Sequence, residues 1–158
     1  MGRNEDSMIF IDGDACPVKK IVIEEARKYK ERVTIVTSLS HYSEKELPDH
    51  VDVVYVDEGA DSADFRLVSL LKQSDILVTQ DYGLASLALP KGVRVCHHTG
   101  FEYDSYKIDM MLETRFASAK LRKAGQRTKG PKKFTDEDRQ KFRTLLVRLL
   151  QNKKESLL

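Results

Sequence analysis

Met8-Ile9-Phe10-Ile11-Asp12-Gly13-Asp14-Ala15-Cys16-Pro17-Val18-Lys19 is the stretch that decides how the rest of the chain is read. Its four opening apolar residues read as a buried strand. Two carboxylates follow where that strand ends, and Pro17 suits the first turn of a helix. In an open parallel sheet, ligands bind outside the carboxyl ends of the strands. A strand running straight into Asp12-Gly13-Asp14 therefore puts two acids where chemistry is expected.

Downstream the same unit repeats. Val18, Ile21, Val22, Ala26 and Tyr29 recur at helical spacing, which predicts an amphipathic helix over 17–30. Val33-Thr34-Ile35-Val36-Thr37 is a β-branched second strand, and Val51 to Val56 is a third. The polar stretch between them contains Ser43-x-x-Glu46, a capping-box pattern that predicts a short helix. Asp57 to Asp64 holds four acids in eight residues. Phe65 to Lys72 reads as a largely buried helix. Asp75 to Thr79 is a fourth strand ending at Gln80-Asp81. A short helix over 82–89, stopped by Pro90-Lys91-Gly92, leads to a fifth strand at Val93–Cys96. Strands alternating with helices indicate an α/β sheet, mostly parallel, with helices on both faces.

From about Ser105 the pattern is helical, with Met110-Met111 read as core. It breaks at the loop Gly125 to Pro131. Thr135-Asp136-Glu137-Asp138 starts the last helix, with a Thr cap and three acids in the first turn. Its apolar stripe of Phe142, Leu145, Leu146, Leu149 and Leu150 ends near Gln151. The expected organisation is a tail over 1–7, one α/β domain over 8–152 whose part from 105 is helical and basic, and a frayed end over 153–158. No apolar run approaches the about 18 residues of a membrane span. Two unpaired cysteines, Cys16 and Cys96, fit a reducing, cytoplasmic setting.

The net charge of +2 hides an asymmetry. Residues 1–114 hold 13 Lys+Arg and 21 Asp+Glu, a net of −8; residues 115–158 hold 14 and 4, a net of +10. The basic part peaks at Lys120, Arg122, Lys123, Arg127, Lys129, Lys132 and Lys133, seven cations in fourteen residues without an acid. One reading is a clamp on a nucleic-acid backbone. The other is a solvated surface offsetting the acidic body.

With the sheet order 3-2-1-4-5, strands one and four are neighbours and Asp12 and Asp81 meet at the switch point. Asp14 lies one turn from Asp12, and Asp61 and Asp64 can share a helix face. Such acids repel and raise each other's pKa values. A divalent cation relieves that repulsion, and carboxylate-only sites suit Mg²⁺ or Mn²⁺. Asp12, Asp81, Asp64 and Asp61 are the expected ligands, and these four with Asp14 are the expected catalytic set. Taken singly, Asp81 can equally cap the helix from Tyr82. Cys16 beside a helix start could have a lowered thiol pKa, although packing is the simpler reading. His97-His98 point in different directions and do not suit a shared metal. Tyr82 and Tyr103 could stack on bases or pack in the core.

Asp12, the acidic helix start and Thr79-Gln80-Asp81-Tyr82-Gly83-Leu84-Ala85 resemble the PIN-domain pattern, a T-x-D-x-x-L-A turn after the fourth strand. More closely, residues 8 to about 150 resemble the YaiI/YqxD family of uncharacterised bacterial proteins. The matching motifs are Asp12 to Val18, Gly59 to Asp64, Leu77 to Asp81, and Gly125 to Pro131 with Phe134 and Asp138-Arg139-Gln140. That family often has Asp-Ala-Asp at the first turn; here Gly13 stands between the acids. The resemblance implies a PIN-like three-layer α/β/α fold and a metal-dependent nuclease acting on nucleic acid, RNA first. The competing expectations are a haloacid-dehalogenase-type phosphatase with Asp12 as nucleophile and Asp14 as acid, and a non-catalytic nucleic-acid-binding module.

Overall fold

The computed structural model describes residues 8–14, 16–59, 62–123 and 133–155. Its strands are β1 (Ile9–Asp12), β2 (Val33–Ser38), β3 (Val51–Val56), β4 (Ile76–Val78) and β5 (Arg94–Cys96). They form one sheet in the order β3-β2-β1-β4-β5 with every neighbouring pair parallel. The helices are α1 (Lys19–Lys28), α2 (Ser62–Leu70), α3 (Tyr82–Ala88), α4 (Ser105–Lys123) and α5 (Asp136–Glu155), with single 3₁₀ turns at Leu39–His41 and Leu89–Lys91. No helix among the described residues is long and apolar enough to cross a membrane.

Side chains alternate across the central strands, and each face has its own core. Ile9, Ile11, Val33, Ile35, Ile76 and Val78 pack against Ile21, Val22 and Ala26 of α1 and Phe142, Leu146 and Leu150 of α5. Phe10, Val36, Leu77 and Val95 pack against Leu67, Leu84, Ala85, Ala88 and Ile108 from α2, α3 and α4. By this alternation Asp12 follows Phe10 onto the second side.

Local chemistry fixes the ends of the helices. Asp138 N–H donates to Thr135 Oγ1 at 3.1 Å and Thr135 N–H to Asp138 Oδ2 at 3.0 Å, a reciprocal cap that starts α5. After α3 the chain turns at Gly92, whose φ is +83° and whose Cβ, were there one, would lie 2.9 Å from Gln73 Cγ.

Four expectations need correction. Ser43-x-x-Glu46 starts no helix: Ser43 Oγ accepts from Lys45 N–H at 3.2 Å in a local turn instead. Residues 39–47 are exposed, so a helix there has no face to bury, and Pro48 biases its predecessor away from helical angles. Helix α2 begins at Ser62 and is only narrowly buried, with Leu67 and, just beyond it, Leu71 in the core while Phe65 is 74% exposed. Met110 is 46% exposed and only Met111 packs inward. Residues 153–155 continue α5 rather than fraying.

That continuation has an electrostatic cause. Glu25 and Glu31 are nearly buried on the α1 side, at 3% and 6% exposure. Arg143 of α5 bonds Glu25 and, at 3.1 Å, Glu24. Lys153 Nζ reaches Glu31 at 2.5 Å and Lys154 Nζ lies 3.7 Å from it. Without Arg143 the buried Glu25 keeps only Lys28 Nζ among the described residues, at 3.2 Å. Arg143→Ala is expected to cost about 1–2 kcal/mol in urea denaturation. Lys141→Ala, which breaks the exposed pair with Glu137, is expected to cost less than about 0.5 kcal/mol.

Candidate active site

At the end of β1 the chain hugs its neighbour. Gly13 N–H donates to Val36 O at 2.8 Å, and a Cβ at position 13 would lie 2.8 Å from Ile35 Cγ2 and 2.9 Å from Thr37 Cβ. Glycine there permits the close approach that sets Asp12 and Asp14 over the sheet edge. Asp12 Oδ2 accepts from Thr79 Oγ1 at 2.8 Å. Burial, with smaller contributions from the Asp14 and Asp81 charges and against the Thr79 bond, lifts the Asp12 carboxyl to about 6. Asp14 Oδ1 accepts from Thr37 Oγ1 at 2.6 Å and Ser38 N–H at 3.4 Å, and lies 3.1 Å from His41 Nδ1.

From β4, Asp81 does cap α3: its Oδ1 accepts from Gly83 N–H at 2.8 Å and Leu84 N–H at 3.2 Å. Capping leaves Oδ2 without a protein partner among the described residues, as Oδ1 of Asp12 also is. Asp57 from the loop after β3 and Asp64 from the first turn of α2 complete the walls. These five carboxylates and Gln80 line one cleft of about 270 Å³, with no Lys or Arg among its described lining residues.

The structure thus brings Asp12, Asp14, Asp64 and Asp81 together. Asp61 lies outside the described residues, as do Arg127, Lys129 and Lys132. Helix α4 carries the backbone of Lys120, Arg122 and Lys123, whose side chains are also outside the description. Lys133 is exposed just before α5.

Two participants are new. Asp57 had only its acidic neighbourhood to mark it. Thr79 is 2% exposed and had only its place in the T-x-D turn. The other candidates stay out of the cleft. Burial raises the Cys16 thiol above its ordinary value, against the activated reading, and the residue packs beside the α1–α5 core. His97 and His98 line a neighbouring hollow that shares Gln80 with the cleft, their ring centres 4.3 Å apart. Tyr103 is buried, and its hydroxyl donates to Thr79 O at 3.1 Å.

The donors are all hard carboxylate oxygens, which suits Mg²⁺ or Mn²⁺ and not a softer ion. No three His, Cys, Asp or Glu side chains among the described residues stand close enough together to hold a metal ion. Mg²⁺ is commonly held by one or two carboxylates and keeps several waters. The free oxygens of Asp12 and Asp81 therefore fit such a hydrated ion without a third protein ligand.

A family model described as the uncharacterised YaiI/YqxD family matches residues 10–152. The chain belongs to the YaiI/YqxD family. A UPF0178 protein of Bacillus cereus is 56% identical over 142 residues, covering 90% of this chain and 97% of that relative. One from Oceanobacillus iheyensis is 56% identical, and one from Bacillus thuringiensis subsp. konkukian 55%, over the same shares. No solved structure gives a significant match. The shared segment of this family spans all three strand exits that supply the carboxylates.

The raised Asp12 pKa fixes the sign of a pH effect. Its folded value of about 6 exceeds the ordinary 3.8, so the folded state binds the proton more tightly. The Asp12 contribution to stability in the presence of a chelator is expected to fall as pH rises from about 4 to about 6 and then level off, and the difference between wild type and Asp12→Asn isolates it from the opposite slope that the lowered His97 pKa imposes. Asp12→Asn removes that penalty, on the order of 1–3 kcal/mol at pH 7.5 and vanishing below pH 4. Thr79→Val deletes the bond that restrains the shift, so its falling phase should move to higher pH. Denaturation midpoints at matched pH values check both.

Proposed function

We propose that the chain is a divalent-metal-dependent nuclease that hydrolyses phosphodiester bonds, in RNA first. The observation that carries this reading is the cleft of five carboxylates, without Lys or Arg among its described lining residues, at the C-terminal ends of β1, β3 and β4 and the start of α2, where the strand order reverses. Asp12 and Asp81 are the proposed ligands of Mg²⁺ or Mn²⁺, with Asp64 and Asp61 supporting them. When bound, the ion lowers the pKa of an attacking water and offsets charge on the scissile phosphate.

The protein's own part is positional. Thr79 holds Asp12 by one oxygen and the α3 N-terminus holds Asp81 by one, so the second oxygen of each is left for the site. Asp14, tethered by Thr37 and Ser38, is the proposed base that orients the water. A phosphate cannot be attracted by the acidic cleft alone. The basic segment from Lys120 to Lys133 is the proposed clamp on the substrate backbone.

Single-stranded and structured RNA should be cleaved with Mn²⁺ or Mg²⁺. Asp12→Asn or Asp81→Asn should lower turnover about 10²–10³-fold while binding survives. The double variant should also lose the rise in melting temperature that Mn²⁺ gives the wild type. Cleavage that persists in both single variants removes these residues from the chemistry. A hydroxylamine-labile phosphate on Asp12 would put the phosphatase mechanism in its place. Replacing Arg127, Lys129, Lys132 and Lys133 by Ala should reduce the log–log salt slope of RNA binding by about 0.7–0.9 per lost contact.

A further inference from the structure

A larger hollow opens beside the acidic cleft. It measures about 610 Å³ and is walled by Tyr82, Tyr103, Met110 and Met111, with Gln80 and His97 at its polar side. Gln80 also lines the acidic cleft, so the two spaces meet at that side chain. The Tyr103 hydroxyl is already engaged with Thr79 O. The Gln80 amide has no partner among the described residues. It can therefore both donate and accept.

His97 is fixed in a particular form. Thr99 N–H donates to its Nδ1 at 3.1 Å, so Nδ1 is an acceptor and the neutral ring carries its proton on Nε2. Burial first, then His98, depresses its pKa to about 4, which keeps the ring uncharged near neutrality. The ring stacks on Phe101 at 4.7 Å and 12° and meets the edge of Tyr103 at 6.1 Å. Gly100, at φ +100°, lets the turn press on α5, where a Cβ would sit 2.7 Å from the Lys141 carbonyl carbon. Nε2–H is thus a held, uncharged donor with no partner among the described residues.

We propose that this hollow is the subsite for an unpaired nucleobase of the strand whose phosphodiester enters the acidic cleft. The inference rests on the nucleic-acid reading above and names its substrate as single-stranded. A base has an apolar face for the Tyr82 ring and the two thioethers, with buried Tyr103 as the floor behind them. Its edge carries acceptors for His97 Nε2–H and mixed groups for the Gln80 amide. An aliphatic ligand would leave both polar groups unmet. A phosphate would find no Lys or Arg among the described lining residues. A base held in a duplex stack cannot enter.

The test is binding without metal. Fluorescence anisotropy in EDTA compares a single-stranded RNA heptamer, its duplex and a fully abasic strand of the same length. Wild type should prefer the single strand. Met110→Trp, which fills the mouth from a half-exposed position, and Gln80→Ala should each weaken single-strand binding about 5–100-fold, the range for one stacked base. Both should leave abasic-strand binding unchanged, and Met110→Trp should keep the wild-type Mn²⁺ melting response. Variants that bind the heptamer like wild type, or lose equal affinity for the abasic strand, overturn the subsite. Because no cleavage enters the measurement, an inactive wild type that still prefers bases removes only the nuclease reading. An active wild type with unaltered pocket variants removes only the subsite.

Discussion

Every polar group of Thr79 takes part in holding the sheet edge together. Its Oγ1 donates to Asp12 Oδ2 and accepts from Asp81 N–H, at 2.8 and 3.0 Å. Its N–H donates to Cys96 O and its carbonyl accepts from Tyr103, both at 3.1 Å. One buried residue thus ties the exits of β1, β4 and β5 and the loop into α4. The acids repel one another, so their geometry cannot come from mutual attraction. It must be imposed by neutral donors on rigid backbone. Thr37 and Ser38 on β2 do for Asp14 what Thr79 does for Asp12.

The charge asymmetry of the sequence divides in the structure. Some cations of the basic half are internal: Arg143, Lys153 and Lys154 meet Glu24, Glu25 and Glu31 and fasten α5 to the far face of the sheet. For these the reading of two faces that attract each other holds. They are far along the chain from the Lys120–Lys133 run, and the acids they satisfy are not those of the cleft. The acidic body is therefore neutralised where it is structural, while no side-chain cation is found among the described residues lining the cleft.

Topology was legible because β-branched, two-face-buried strands read as short apolar runs, and because each run ended in a carboxylate or a turn signal. Strand order set Asp12 beside Asp81, while Asp14 followed from its spacing to Asp12 and Asp64 from the acidic start of α2. Burial of single helices was less legible. In α2 the apolar residues crowd into Phe65 to Leu71, yet the i, i+4 pair of Leu67 and Leu71 is what reaches the core. Ser43 and Glu46 carry a helix-start pattern without the apolar face that would make a helix worth forming. Thr79 was hidden for a different reason: a threonine at a strand end is ordinary until the four partners around it are known.

The chain bends at Gln80 as it leaves β4, and Asp81 stands at φ −90° and ψ 104° as the cap of α3. Thr79 is buried, Gln80 at the bend is exposed, and Asp81 faces the cleft. Three adjacent residues take three separate tasks: a structural tie, a wall shared by three hollows, and a carboxylate held at a helix N-terminus. Moving the register of β4 by one residue would turn its buried faces over and take all three out of these places. The parallel pairing of β4 with both β1 and β5 prevents that slip, because it pins Ile76, Leu77 and Val78 from both sides. The short central strand is thus the element that converts sheet register into site geometry.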